Sequence, residues 1–233
     1  MRRSFHYLSL MFLMGFAMQL ANAQSEFNVA IGFGAAQASK SGSGIEGDPT
    51  SINFFGSCPP GSTSTCSASK GLSGFMMGFR GNLMLWKHFG LGADVTFQPG
   101  KQDYAVFPAS AIQSGGANLQ SRTTFYDFDA IVQPVKTKRA SLELLGGIGG
   151  ANIKFYASGT TTDALLGTQN FSQLYGSSNH FQVHGGAGVN IFVKDNIFIR
   201  PQFDLHYVPN LYQFGSNAVT EESVWVGYRW GGQ

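Results

Sequence analysis

The stretch Phe181-Gln-Val-His-Gly-Gly-Ala-Gly-Val-Asn-Ile-Phe-Val193 alternates in polarity, and so does Ile197-Phe-Ile-Arg-Pro-Gln-Phe-Asp-Leu-His-Tyr207. In the first segment Phe181, Val183, Ala187, Val189, Ile191 and Val193 share one face, and Gln182, His184, Gly186, Gly188 and Asn190 share the other. In the second, Ile197, Ile199, Pro201, Phe203, Leu205 and Tyr207 oppose Arg200, Gln202, Asp204 and His206. A period of two is the signature of a strand with one apolar face. Only Lys194-Asp195-Asn196 separates the segments, which makes them a hairpin.

The same pattern recurs along the chain. Eight strands are expected, over roughly 26–36, 71–85, 89–99, 123–135, 140–156, 179–193, 197–208 and 222–230. In the fifth, Leu142, Leu144 and Ile148 are even-numbered while Ile153 and Phe155 are odd, so a β-bulge is expected near Gly149-Gly150. Short turns (Trp86-Lys87-His88, Lys136 to Arg139, Lys194 to Asn196) alternate with long connections (37–70, 100–122, 157–178 and about 209–221). The long ones are rich in Ser, Gly, Thr and Asn. An up-and-down antiparallel barrel with turns at one end and loops at the other has this alternation.

Composition agrees. The chain has 233 residues, which suits one all-β domain. It has 31 glycines and 21 phenylalanines, and only 12 % of its residues are charged, about half the usual share. Such a composition argues against a disordered tail and against a long-helix protein. Arg2 and Arg3 precede the apolar run Tyr7 to Leu20, and Ala21-Asn22-Ala23 follows it. That is the three-part pattern of a cleavable export signal over 1–23, with the barrel domain over 24–233. The run is too short to cross a membrane as a helix. Without Arg2 and Arg3 the 15 basic residues become 13, matching 13 acidic ones, so no basic surplus favours nucleic acid.

A soluble lipocalin-like barrel is apolar inside; an outer-membrane barrel is apolar outside. Here the apolar face is bulky and nearly free of charge. The other face mixes glycine with Arg80, Asp94, Asp127, Asp129, Glu143, Arg200, Asp204 and Arg229. Glycines make room for long charged side chains in a narrow lumen. The expected fold is therefore an all-β, eight-stranded transmembrane barrel with those charges inside. The soluble alternative, a periplasmic binder, would reverse the polarity. If Leu85 pairs with Phe89, Arg80 falls opposite Asp94; a register two residues off would share Arg80 among several acids.

The whole mature chain resembles the small outer-membrane β-barrel family that includes the barrel domains of OmpA and OmpX. The last strand, Ser223-Val-Trp-Val-Gly-Tyr-Arg-Trp230, is the most specific piece. In that family the final strand alternates apolar residues and ends in an aromatic, and the barrel-assembly machinery reads it. Val224, Val226, Tyr228 and Trp230 match, although Gly231-Gly232-Gln233 follow the aromatic. The resemblance implies a bacterial outer-membrane location. Its partners would be membrane lipid, the assembly machinery and an extracellular partner that the sequence does not name.

Candidate chemistry is sparse. Cys58 and Cys66 lie in the first long loop, and export to an oxidising compartment makes a disulfide the expectation. His184 and His206 face each other if Val193 pairs with Ile197, and Asp204 shares their face. Two histidines and an acid can hold zinc, but a hydrogen-bonded interior network with Arg200 needs only the same residues. No metal, cofactor or catalytic set is therefore assigned. The run Gly146-Gly-Ile-Gly-Gly150 lacks the Lys-Ser/Thr of a phosphate loop. The expected role is structural, with surface interaction through four long extracellular loops. A rim enzyme acting on lipid or peptide and a narrow solute channel are the alternatives.

Overall fold

A computed structural model describes residues 26–38, 72–107, 117–163, 167–209, 211, 214 and 216–231. The expected signal segment 1–23, Cys58 and Cys66 lie outside the described residues. Among the described residues nine strands form: β1 (Glu26–Ala38), β2 (Ser73–Met84), β3 (Phe89–Phe97), β4 (Gln102–Phe107), β5 (Ala117–Lys136), β6 (Ala140–Asp163), β7 (Gly167–Lys194), β8 (Ile197–Tyr207) and β9 (Ala218–Trp230). The antiparallel order is β3-β2-β1-β9-β8-β7-β6-β5-β4, and a β3–β5 pairing closes it.

Eight strands, not nine, make the barrel, because β3 and β4 share one edge of β5. Phe97 pairs with Thr124, and Gln102 then pairs with Ser121. Residues 98–101 face only Arg122 and Thr123, so they bulge. Gln98 stitches this break: its side-chain Oε1 accepts the Thr123 N–H at 2.8 Å and its Nε2 donates to the Ser73 carbonyl at 3.1 Å. The loop expected over 100–122 thus contains β4 and the start of β5. The loop expected over 157–178 is mostly the β6–β7 hairpin, which stays paired from Ala140–Ile191 out to Asp163–Gly167.

The polar face is inside. In β8 every even residue from Phe198 to His206 is buried and every odd one is exposed. Phe128 is 67 % exposed and Ile148 58 %, whereas Glu143 and Gln133 are fully buried. Apolar side chains facing outward all round a closed barrel need lipid, so the soluble, lipocalin-like alternative is excluded.

The bulge expected at Gly149-Gly150 is absent. The β5–β6 register is unbroken from Val132–Leu144 to Ala117–Gly159, and β6 instead shifts register against β7 between Phe155 and Tyr156. Odd residues of β6 point inward along the barrel: Ser141, Glu143 and Leu145 first, then Ala151, Ile153 and Phe155. Outward, Leu144 and Ile148 give way to Asn152 and Lys154. The backbone phase never changes; the solvent does. Below, the outer face meets lipid. Above, it meets water, and the apolar residues move inside. They form a core with Tyr104, Phe125, Ile153, Phe155, Phe214 and Val219 that fills the loop end of the barrel.

Two local details fit side chains to this wall. Pro201 lacks an N–H, and the β7–β8 ladder lapses beside it, between Gly188–Gln202 and Ile191–Ile199. Trp225 is the largest fully buried side chain. A Cβ at Gly32 would lie 2.5 Å from its ring and one at Gly78 2.7 Å, so both glycines are required by close approach.

Candidate functional site in the barrel interior

Alternation sends one polar side chain inward from every second residue, and the register brings them together. Six buried carboxylates (Asp94, Asp127, Asp129, Glu143, Asp204, Glu221) share the lumen with the guanidiniums of Arg80 and Arg200. Toward the turn end, Arg200 pairs with Glu143. Glu143 also accepts from Asn82 at 3.1 Å, Asn190 at 3.2 Å and Gln133 at 3.3 Å. Nearer the loops, Arg80 donates to Asp129 at 3.2 Å, Gln202 at 3.0 Å and Asn82 at 3.1 Å. Asp94, its partner in register, lies 3.8 Å away.

His184 stands opposite His206, as the β7–β8 register dictates. Val193 itself falls in a register shift between Phe192 and Lys194, but the pairing above it holds. His184 Nδ1 meets Asp129 at 3.0 Å and Nε2 meets Asp204 at 3.1 Å. A carboxylate only accepts, so His184 donates from both nitrogens, as an imidazolium does. His206 differs. It is sandwiched between the rings of Phe125 (centroids 4.5 Å apart) and His184 (4.6 Å). Among the described residues, neither of its nitrogens finds a hydrogen-bond partner, and neither does Asp127 Oδ2. Its nearest carboxylates, Asp127 and Glu221, are both 3.7 Å away.

Asp127, His184 and His206 offer ligand atoms within 4.8 Å of one another, and so do Asp94, Asp129 and His184. Asp204, which the sequence places on the face of the histidines, does meet one of them, His184 Nε2, and also accepts from Gln202. The two imidazoles lie within 8° of parallel. Their in-plane lone pairs therefore run side by side and do not converge on one ion, and His184 Nδ1 is already engaged. What the arrangement does as it stands is hold eight strands together across a filled lumen.

Of the remaining sequence candidates, Arg229 and Trp230 lie at the periplasmic mouth, the end that carries the short turns, and Val224, Val226 and Tyr228 run up the outer wall from it. Arg229 is half-buried at this rim rather than inside the lumen. It lies 3.9 Å from Glu26 and donates to the Asp195 carbonyl at 3.1 Å. Lys136 reaches Glu26 at 2.5 Å. Val224, Val226, Tyr228 and Trp230 all face outward, and Trp230 stacks on Phe27 at 5.7 Å, across the seam where the last strand meets the first. Glu221 and Glu26 escaped selection as interior residues, whereas Gln202 falls on the inward face that the alternation of 197–207 assigns it. Glu221 shares the parity of Ser223 and Trp225, and a strand started one residue earlier would have included it.

The family model for the outer membrane protein beta-barrel domain matches residues 8–229. Among solved structures, the chain is similar to Ail, the attachment invasion locus protein of Yersinia pestis, in complex with the heparin analogue sucrose octasulfate. Identity is 14 % over 88 % of this chain and 99 % of that one, with a TM-score of 0.49. Neisserial surface protein A is 12 % identical over 87 % of this chain and 96 % of that one, with a TM-score of 0.47. OprG from Pseudomonas aeruginosa is 12 % identical over 91 % of this chain and 100 % of that one, also with a TM-score of 0.47. No curated protein matches the chain. With its apolar outer wall and closed antiparallel barrel, the chain belongs to the outer membrane protein beta-barrel domain family and is an integral protein of the bacterial outer membrane.

Proposed function

We propose that this barrel is a closed, non-enzymatic surface protein whose extracellular extension contacts other surfaces or molecules. The observation that carries the reading is the β6–β7 hairpin. β7 has 28 residues, about 90 Å of strand at ~3.3 Å each, whereas a membrane crossing needs only about 9–11. Its regular run of outward apolar residues spans Phe181 to Val193; residues 167–180 continue beyond it as paired strand, with Leu174 an isolated exposed apolar side chain there. A paired hairpin holds its side chains in fixed positions, so a partner that binds it has little ordering entropy to overcome.

Burial supports the non-enzymatic part of the reading. His184 is 3 % exposed and His206 1 %, and the apolar core around Tyr104, Phe155 and Phe214 lies between them and the loops. A rim enzyme needs its acid–base residues within reach of substrate. The same core, in series with the ionic network below it, argues for a closed barrel rather than a channel. The outward Val224, Val226, Tyr228 and Trp230 leave the last strand available to the assembly machinery.

The test removes residues 160–172 and joins the shortened strands with a two-residue turn. Heat-dependent gel mobility of the outer-membrane fraction checks that the barrel still folds. Attachment of expressing cells to immobilised matrix proteins and glycans is then compared with the full chain. Attachment that depends on the full chain and is lost with the hairpin, from a folded barrel, is the expected result. Equal attachment by cells with and without the protein would overturn the proposal.

A further inference from the structure

The outer face of β5 and β6 carries a row of basic side chains just above the lipid-facing belt. Arg122 lies directly opposite Lys154 in the β5–β6 register. Lys101 precedes Gln102, the partner of Ser121, and so flanks Arg122 on its other side. Thr123 and Ser121 are buried, which turns Arg122 outward; Lys101 and Lys154 are exposed. Like charges set opposite one another on one face of a sheet repel. Among the described residues, none of the three forms an ion pair with a carboxylate. Lys101 rests on the Tyr156 ring, 4.2 Å from its centroid, and donates to Ser172 at 3.3 Å. Arg122 spends Nε on the Gln98 carbonyl at 2.6 Å. Asp103, the nearest acid along that face, accepts from Gln120 at 3.2 Å.

Depth gives the row its meaning. Phe128, Ile148 and Val183 are aligned in register and face the lipid. The next outward row holds Tyr126, Gly150 and Phe181, with Tyr126 42 % and Phe181 57 % exposed, as in an interfacial aromatic girdle. Thr124, Asn152 and Asn179 follow, with Asn152 donating to Asn179 at 2.7 Å. The row of Arg122 and Lys154 comes next. Two steps of two residues are about 13 Å along a strand, or about 10 Å along the membrane normal at the usual tilt. The headgroup layer is about 5–8 Å deep on each side, so the row stands at its outer edge, within reach of long basic side chains.

We propose that Lys101, Arg122 and Lys154 bind a phosphate group on a lipid headgroup of the outer leaflet. The guanidinium presents paired donors suited to a phosphate; the Lys154 ammonium opposite it adds a point charge, and the Lys101 ammonium, held against Tyr156 and Ser172, adds a second. An anion on the row also removes the repulsion between Arg122 and Lys154. This inference rests on the membrane orientation of the barrel and not on the proposed contact role of the hairpin.

The test uses the full chain folded in detergent micelles and native mass spectrometry, with lipid A as the probe. A triple variant, Lys101→Gln, Arg122→Gln and Lys154→Gln, is compared with the parent, and the heat-dependent gel shift confirms folding of each. Lys154→Arg keeps the charge and serves as the second variant. Expected are lipid A adducts on the parent and on Lys154→Arg, at least tenfold weaker binding by the triple variant, and little binding of dephosphorylated lipid A. Equal binding by parent and triple variant would overturn the proposal. So would inorganic phosphate displacing lipid A at similar concentration, because the site would then be one for free anions.

Discussion

Arg80 stands opposite Asp94 in the β2–β3 register, yet its guanidinium lies nearer to Asp129 across the lumen, at 3.2 Å against 3.8 Å. Backbone register decides which residues are neighbours; the lumen decides which of them bond. Arg80 also donates to Gln202 on β8, so it ties β2 to β5 and β8, strands that are not its neighbours in the sheet. Removing one partner of a buried pair leaves an uncompensated charge and costs about 3–5 kcal/mol. Arg80→Ala is therefore expected to lower the urea midpoint of the refolded barrel sharply. Adding Asp129→Ala restores more of the loss than adding Asp94→Ala. The reverse order would show that the register partner, not the cross-lumen one, carries the interaction.

The two stacked histidines should respond in opposite ways. His184 satisfies Asp129 and Asp204 at once, so His184→Phe strands two buried carboxylates and costs roughly 3–5 kcal/mol. Among the described residues His206 has no hydrogen-bond partner, and it is held by stacking on Phe125 and His184. A phenyl ring in its place keeps the stack and removes two unsatisfied buried nitrogens. His206→Phe is expected to lie within about 1 kcal/mol of the parent, or above it. Urea unfolding of both variants checks this, with and without added zinc. Equal losses in both, together with zinc-dependent stability of the parent, would mean that the pair works as a metal site.

The barrel is legible in the sequence wherever the environment on each side of the wall is uniform. Ile197 to Tyr207 reads cleanly because lipid lies on one side and the polar lumen on the other along its whole length. β6 reads wrongly at Gly149-Gly150 because polarity patterns report the surroundings, and these invert where the strand leaves the membrane. Ile153 and Phe155 look like a phase slip and are instead the inner core of the water-exposed part. For the same reason the polar outer half of β7 reads as loop. β4 is hidden because residues 98–101 bulge and break the alternation before it resumes. The interior charges follow from parity alone, so Arg80, Asp94, Asp129 and Glu143 can be placed from sequence. Which carboxylate each base chooses cannot, since that depends on side chains crossing a closed lumen.

Cys58 and Cys66 enclose a short loop in the segment between β1 and β2. In an oxidised envelope they are expected to pair, and chain-entropy arguments give such a loop about 2–3 kcal/mol. Thiol-alkylation mass spectrometry of protein taken from the outer membrane should find neither cysteine modified until reductant is added. The double change Cys58→Ser and Cys66→Ser should leave the barrel's heat-dependent gel shift intact. Modification of both thiols without reductant would refute the pairing.

Two obstructions lie in series along the lumen, and they are chemically independent. At the loop end Tyr104 packs edge-on against Phe155, with centroids 5.0 Å apart, and against Phe214 at 5.6 Å. Below them the pairs Arg80–Asp129 and Arg200–Glu143 cross the barrel. Opening one leaves the other shut. Tyr104→Ala with Phe155→Ala should cost roughly 3–5 kcal/mol per ring, by loss of burial and creation of a cavity. It should nevertheless leave the protein without steady conductance in a planar bilayer. Arg80→Ala with Asp129→Ala should also stay silent, because the aromatic core still seals the outer end. The fourfold variant still carries the Arg200–Glu143 pair, so conductance is expected only when Arg200→Ala and Glu143→Ala are added, provided that the heat shift shows the barrel folded. Conductance from the unaltered chain would mean that side chains in the lumen move aside on their own, and the closed-barrel reading would fall. Conductance from the aromatic double variant alone would place the seal wholly at the loop end and leave the ionic network as scaffold only.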